Sequence, residues 1–287
     1  MNQDVSNLKN IKLICDSSID LNPDFIQSED IELMHFAVTV GETEYHDGID
    51  ITTDNLFEII DKTNQLPKTS AFGPKMYEEV FSKFANDYKD VIFIGLGSGF
   101  SSSLNSARIG ASQYPNVHII DSQNLSSGTG LLVFKICKLR REGKSASQII
   151  EEIESIVPNV RCQFAIDTLT YLHKGGRCSG VSKLLGVLLN IKPIIKVLDN
   201  AMVVAKKPIG YSRACRALLE EAISLKDQID LDHILVTHVL AHDKALELIA
   251  ELSKYFDPSI ITETFAGTTV ATHCGPGTIG ILYILKK

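Results

Sequence analysis

The 287-residue sequence lacks several features that would assign it to other classes of protein. It has no apolar run of about 18 residues, so stable insertion into a membrane is not expected. Lys and Arg number 28 against 35 Asp and Glu, and this deficit of positive charge argues against broad contact with nucleic acid. Its six cysteines form no C-x-x-C pair and signal neither a zinc site nor a disulfide framework. The first ten residues lack the pattern of an export signal, which favours a cytoplasmic location.

What the sequence contains indicates a globular α/β protein. Hydrophobic residues make up 44% and charged residues 22%, and the length fits one large or two medium domains at about 150 residues each. Short apolar strands, predicted at 11–15, 91–94 and 117–120, alternate with helical patterns. This alternation predicts a mainly parallel sheet in a first α/β domain, residues 1–158.

After Pro158 the pattern changes to strands of mixed character, with helices between them. The predicted strands are 162–167, 191–198, 233–238 and 279–285, and the predicted helices are 182–189, 212–225 and 243–255. We therefore expect a second α/β domain, residues 159–287, with a mixed sheet.

The glycine-rich segment 95–100 lies between a predicted strand and a predicted helix, where a dinucleotide-binding G-x-G-x-x-G motif would occur. Phe100 stands in place of the third glycine, which leaves a nicotinamide or flavin oxidoreductase as a minor alternative. A nucleophile elbow, G-x-S-x-G, also fails, because Leu96 and Phe100 flank Ser98.

Two clusters of hydroxyl groups point to an anion-binding site. The segment 98–103 supplies four serines just before a predicted helix, whose free N–H groups and dipole favour an oxyanion. Thr69 and Ser70 lie in a predicted loop of the same half of the chain. Such loops gather at one crevice in open α/β sheets, so both clusters are expected to face one head group. The alternative is that the serines only cap the helix.

His273 lies in Thr272-His273-Cys274-Gly275-Pro276-Gly277, which we interpret as a rigid turn between a Thr-rich segment and the last strand. An imidazole held there can donate to an anion or act as an acid or base. The alternative is a purely structural histidine.

Two further groups stay undecided from the residues alone. His238 and His242 are four positions apart, but the sequence shows no third ligand nearby, and no metal site is predicted. Gly175-Gly176-Arg177 is either a glycine helix cap followed by a solvated arginine or a basic spot for an anionic partner.

Taken together, eight motifs in order resemble the DegV family of bacterial fatty-acid-binding proteins over nearly the whole chain. They are Cys15-Asp16-Ser17-Ser18, His46-Asp47-Gly48-Ile49-Asp50, Pro67-Lys68-Thr69-Ser70, the serine segment 98–103, Asp121-Ser122, the segment from Thr168 to Arg177, Leu189-Asn190-Ile191-Lys192-Pro193, and His273-Cys274-Gly275-Pro276-Gly277. Each string is weak alone, and their combination is specific.

The resemblance implies two α/β domains that enclose one long-chain fatty acid. Such a protein resembles the fatty-acid-binding subunit of the bacterial fatty acid kinase system, which presents the carboxylate to a separate kinase for acyl phosphate formation. It implies a lipid-binding carrier in phospholipid synthesis and not an enzyme, with the fatty acid as ligand and no cofactor. By the matching motifs, Arg177 would face the kinase. The residues implied at the carboxylate are Thr69, Ser70, Ser101, Ser102 and His273.

The sequence departs from the family pattern at two places. Ser101-Ser102-Ser103 stands where the family usually shows Ser-Gly-Thr, and Thr69-Ser70-Ala71-Phe72 where it usually shows Thr-Ser-Gln-Pro. The hydroxyls are retained, and we expect Phe72 to alter the pocket mouth and the preferred chain. The family's basic residue after the mid-domain strand has three candidates here, namely Lys206, Lys207 and Arg213.

The runner-up hypothesis is a serine hydrolase or esterase that uses Ser101, or Ser98, with His273. It requires a carboxylate to orient the histidine, and Asp16 or Asp121 at a strand end is the candidate.

Overall fold

The structure, a computed structural model, describes residues 9–178 and 190–287. In the first half of the chain, up to residue 158, strands and helices alternate as predicted. The strands are β1 (Lys9–Asp16), β2 (Ile31–Met34), β3 (Ala37–Val40), β4 (Thr43–His46), β5 (Lys68–Ser70), β6 (Tyr88–Gly95) and β7 (Val117–Asp121). The helices are α1 (Pro23–Ser28), α2 (Thr53–Thr63), α3 (Pro74–Ala85), α4 (Ser103–Ala111), α5 (Ser127–Arg141) and α6 (Ala146–Ile156).

Four of these strands form an all-parallel sheet in the order β2-β1-β6-β7. Both faces of a parallel sheet are covered by helices, so its central strands consist of nearly continuous buried apolar residues. Val91, Ile92, Phe93 and Ile94 of β6 are all buried for this reason. The predicted parallel sheet is confirmed.

A second, three-stranded antiparallel sheet, β4-β3-β5, was not predicted. The apolar segment 31–40 divides into β2 and β3, and the polar segment expected to be a loop after Pro67 contains β5. Because β5 has three residues, all of them exposed or half-buried, its sequence carries no strand pattern. Thr69 therefore sits in a strand and not in a loop.

The second half, from residue 159, forms a mixed sheet, as predicted. Its strands are β8 (Val160–Arg161), β9 (Gln163–Ala165), β10 (Ile194–Leu198), β11 (Ala201–Lys206), β12 (Ile229–His238), β13 (Ile261–Phe265) and β14 (Ile279–Leu285). Its helices are α7 (Leu169–Gly175), α8 (Tyr211–Ser224), α9 (His242–Leu252) and α10 (Thr268–Cys274). The sheet order is β11-β10-β9-β14-β12-β13, with β8 on β14, and β12 and β13 pair in parallel. The predicted helix 182–189 lies outside the described residues, and the boundary at residue 158 stays a prediction.

Local signals set several helix ends. Ser145 caps α6 with a reciprocal capping box that includes Gln148. The cap of α2 is Thr52, whose side chain accepts a hydrogen bond from the backbone N–H of Asn55. Gly176 adopts a left-handed φ of 67° and ends α7, as the glycine pair suggested.

The short helix α10 packs between the two halves of the chain. It contacts α7 in the second half and α2, β3 and β5 in the first. Its N-terminal backbone donates to two buried carboxylates of the first half, from Gly267 to Asp20 and from Thr268 to Asp47, each at 2.8 Å. His273 lies in the last turn of this helix, so the rigid turn predicted around it begins only after Cys274. Among the described helices, none has both the length and the apolarity needed to span a bilayer.

Candidate functional site

A cavity of about 130 Å³ lies where α10 meets β5 and the serine segment. It brings together residues from distant parts of the sequence, from Ser18 to Cys274. All six site residues named from the sequence line it, and these are Thr69, Ser70, Ser101, Ser102, Arg177 and His273. Arg177 is exposed, so it lies at the mouth of the cavity as well as at the surface.

A hydrogen bond between Thr69 and His273 joins the two halves of the chain across this cavity. The Thr69 Oγ1 to His273 Nε2 distance is 2.9 Å, over a sequence separation of 204 residues. Among the described residues, the buried Nδ1 of His273 has no hydrogen-bond partner. Burial, and then the positive charge of Arg177, lower the pKa of His273 to about 4. The imidazole is therefore neutral at neutral pH and faces the hydroxyl as an uncharged partner.

This electrostatic environment gives a direct prediction. In an NMR titration, the imidazole of His273 is expected to protonate with a midpoint near pH 4 and to stay neutral above it. Arg177→Ala removes a repelling positive charge and should raise that midpoint. Lys174→Ala removes an exposed cation from the same segment and serves as the control. A wild-type midpoint near the ordinary histidine value of about 6.5 would contradict this description of the site.

Ser101 has a structural role and also faces the cavity. Its Oγ accepts a hydrogen bond from the backbone N–H of Ser103 at 3.1 Å, in the first turn of α4. The hydroxyl proton stays free to donate, because a hydroxyl carries one donor besides its acceptor lone pairs. Helix capping and anion binding, which the sequence presented as alternatives, are therefore compatible at this residue.

The glycines of segment 95–100 permit close packing. A Cβ atom on Gly97 would lie 2.8 Å from the backbone after β7, and one on Gly99 would lie 1.7 Å from the carbonyl oxygen of Asn200. Real side chains do not tolerate such distances, so these positions require glycine. Packing accounts for the resemblance to a nucleotide-binding motif.

The buried carboxylate of Asp16 is hydrogen-bonded to the glycine-rich segment 95–100. Its Oδ1 accepts hydrogen bonds from the backbone N–H and hydroxyl of Ser18, and its Oδ2 accepts one from the N–H of Leu96 at 2.8 Å. Burial raises the pKa of Asp16 to about 6, against the opposing effect of these hydrogen bonds. Ser18 and Leu96 both line the cavity, so Asp16 positions part of its wall.

The arrangement required for a serine hydrolase is not assembled in the described residues. Ser98 donates to Asp121 at 2.6 Å and does not line the cavity. Asp16 is occupied by Ser18 and Leu96, and neither carboxylate contacts His273. A histidine without an orienting carboxylate lacks the third member of a triad.

Sequence reasoning missed Thr269. Its buried Oγ1 lines the cavity and has no hydrogen-bond partner among the described residues. Thr269 and His273 are four residues apart on α10, which places them on the same helix face. The four-residue spacing of Thr269 and His273 is visible in the sequence. It indicates a shared helix face only once residues 268–274 are known to be helical.

A smaller, mainly apolar cavity of about 20 Å³ lies next to the first, and the two share Leu125, Val270 and Cys274 as lining residues. Beyond these three residues, the wall of the smaller cavity includes Phe164 and Leu282. The fold and the site thus define an α/β protein with two adjoining internal cavities, the larger with polar groups and the smaller mainly apolar, and the path refers to this pair of cavities.

The comparison with known sequences agrees with this description. The family model described as "Uncharacterised protein, DegV family" matches residues 10–286. A DegV domain-containing protein of Clostridium acetobutylicum is 32% identical over 97% of this chain and 100% of its own length. The chain belongs to the DegV family, as the sequence motifs indicated.

Solved structures extend the similarity to the fold. The structure of DegV, described as a fatty acid binding protein from Bacillus subtilis, is 27% identical, with a TM-score of 0.84, and the alignment covers 96% of this chain and 99% of that one. A fatty acid binding DegV family protein from Streptococcus agalactiae is 26% identical, with a TM-score of 0.87 over 98% and 99% of the two chains. The predicted fold class is confirmed.

Proposed function

We propose that this protein binds a long-chain fatty acid, with the carboxylate at Thr69, Ser101 and His273 and the tail in the apolar path beyond. The observation that carries the proposal is the Thr69–His273 pair in a cavity that adjoins a smaller, mainly apolar one. Two similar solved proteins are described as fatty acid binding, which supports the same ligand class.

The tail supplies most of the binding free energy in this proposal. About 15 buried methylenes at about 0.8 kcal/mol each give roughly 12 kcal/mol, from which several kcal/mol of ordering and association costs are subtracted. The apolar side chains of Leu125 and Val270 offer the contacts that this transfer requires.

The head group is held by neutral donors. A carboxylate left unpaired in a dry site is costly, and the hydroxyls of Thr69, Ser101 and Thr269 can each donate to it. His273 is uncharged at neutral pH, so it forms no ion pair. With its proton on Nε2 it donates to the Thr69 hydroxyl, which leaves the proton of Thr69 available to the carboxylate. Neutral donors suit a ligand that must be released or transferred more readily than a buried salt bridge would.

The proposal includes transfer of the ligand to a partner. We place the protein in the cytoplasm as a carrier, without a cofactor or a catalytic residue, that presents the carboxylate to a fatty acid kinase for phospholipid synthesis. Arg177 supports this role, because it lines the cavity mouth and is exposed to a partner at the same time. Its Nη1 donates to the carbonyl oxygen of Gly175 at 2.6 Å, which orients the guanidinium.

Lipid identification tests the proposed ligand. Protein purified from cells should yield a fatty acid in about equimolar amount on organic extraction and mass spectrometry, and added palmitate should raise the melting temperature of delipidated protein. An extract without an acyl chain, together with an unchanged melting temperature, would refute it. Hydrolysis of p-nitrophenyl esters that is lost in Ser101→Ala would favour the hydrolase instead.

The head-group donors can be tested one at a time. Thr69→Val removes the hydroxyl, keeps the side-chain volume and suits a strand, and we expect about a tenfold loss of palmitate affinity, or about 1.4 kcal/mol. Thr69→Ser keeps the hydroxyl and is the matched control, expected to stay within about threefold of the wild type. Equal affinities for the valine and serine variants would show that this hydroxyl does not hold the carboxylate.

A further inference from the structure

His238 lines the smaller cavity, which is the apolar end of the path. The smaller cavity is bounded by His238 and Ala266, and both residues also line a separate open cleft of about 1320 Å³. Only 2% of the His238 side chain is exposed. A wall one side chain thick therefore separates the end of the path from the cleft.

Hydrogen bonds hold the His238 ring in this wall. The backbone N–H of Ala241 donates to Nδ1 at 3.1 Å, which places the proton of the neutral ring on Nε2. Nε2 then donates to Oε1 of Glu263 at 2.9 Å. Nδ1 of His242 lies 2.7 Å from the same oxygen. The ring of Phe265 packs edge-on against His238 at a centroid distance of 5.0 Å.

The same three side chains, His238, His242 and Glu263, have ligand atoms within 4.8 Å of one another, so the structure supplies the third group that the sequence did not show. A metal on Nε2 of His238 would need the ring proton on Nδ1, where the Ala241 N–H already donates. The hydrogen-bond pattern therefore favours a role in fixing the orientation of the His238 ring over a role in metal binding. The absence of a metal stays a prediction.

The surface on the far side of the wall is suited to an apolar chain. Phe265 and Leu240 line the cleft next to His238 and are 55% and 44% exposed. A tail that passed the wall would contact these side chains instead of entering bulk water.

We propose that His238 sets the maximum length of the bound acyl chain, with Glu263 and the backbone N–H of Ala241 holding its ring across the path. The inference rests on the proposed function, because it concerns the end of the path that the fatty-acid tail follows. His238 acts here as a specificity-determining residue.

The test compares palmitate with arachidate, which is four carbons longer, by displacement of a fluorescent fatty acid. The wild type should bind palmitate more tightly than arachidate. In His238→Ala the ratio of the arachidate Kd to the palmitate Kd should fall at least about tenfold, which corresponds to about 1.4 kcal/mol. His238→Val shortens the side chain while retaining a strand-forming residue, and it provides a second test if the alanine variant does not fold.

His242→Ala is the matched control. It removes one partner of Glu263, but His242 is half exposed and does not line the smaller cavity, so the ratio should stay close to that of the wild type. An unchanged ratio in a folded His238 variant, with palmitate still bound, would overturn the inference and leave the proposed function intact. Failure of the wild type to bind either fatty acid would overturn both.

Discussion

Val270→Trp is expected to weaken palmitate binding by about a hundredfold or more. Val270 lies on α10 between the two cavities and lines both of them, so an indole at this position fills the passage. If four methylenes can no longer be buried, the loss is roughly 3 kcal/mol, which corresponds to somewhat more than a hundredfold in Kd. Displacement of a fluorescent fatty acid gives the affinity.

The matched control for this substitution is Val270→Ala, which leaves the passage open. It removes two methyl groups that would contact the proposed tail, and we expect it to stay within about tenfold of the wild type. Octanoate provides a second comparison. Because a short chain occupies less of the path, octanoate should lose less affinity than palmitate in Val270→Trp. Wild-type palmitate affinity in a folded Val270→Trp protein would show that the tail does not follow this path.

Asp47→Ala is expected to lower the free energy of unfolding by about 3 to 5 kcal/mol. The buried carboxylate of Asp47 accepts hydrogen bonds from the hydroxyls of Ser17 and Thr268 and from the backbone N–H groups of Thr268 and Thr269. Its removal leaves these donors unsatisfied at the N-terminus of α10, and losses of that size follow from breaking a buried charged network. Urea unfolding followed by circular dichroism measures the effect.

Two further variants are compared with Asp47→Ala. Asp87→Ala removes an exposed carboxylate and should change the stability by less than about 1 kcal/mol. Asp47→Asn keeps the volume but loses half of the acceptors, so an intermediate loss is expected. If Asp47→Ala were no less stable than Asp87→Ala, the network would not hold α10 in place.

The elements that follow from local pattern were predictable from the sequence. Ser145 and the residues after it contain their own capping signal, and 91–94 form an apolar run that a sheet covered on both faces requires. Segment 68–70 and helix α10 were not predictable, because three polar residues or seven Thr-rich residues form regular structure only through contacts with the rest of the fold.

The grouping of the six predicted residues at one cavity was predictable by resemblance and not by spacing, and their role in binding a ligand stays a prediction. Nothing local connects Thr69 with His273 across 204 residues, and only the order of the motifs placed them at one ligand. Thr269 had no motif of its own, and Glu263 joins His238 only through the parallel pairing of β12 with β13. Tertiary pairing of this kind is set by topology, which residue types alone do not encode.

The hydrogen bond between Thr69 and His273 links the proposed ligand site to the packing of α10 against β5. If the carboxylate binds to both residues as proposed, its binding stabilises this contact, and by reciprocity a change that separates the two residues weakens binding of the ligand. A protein that moved α10 away from β5 would therefore release the fatty acid without competing for its site.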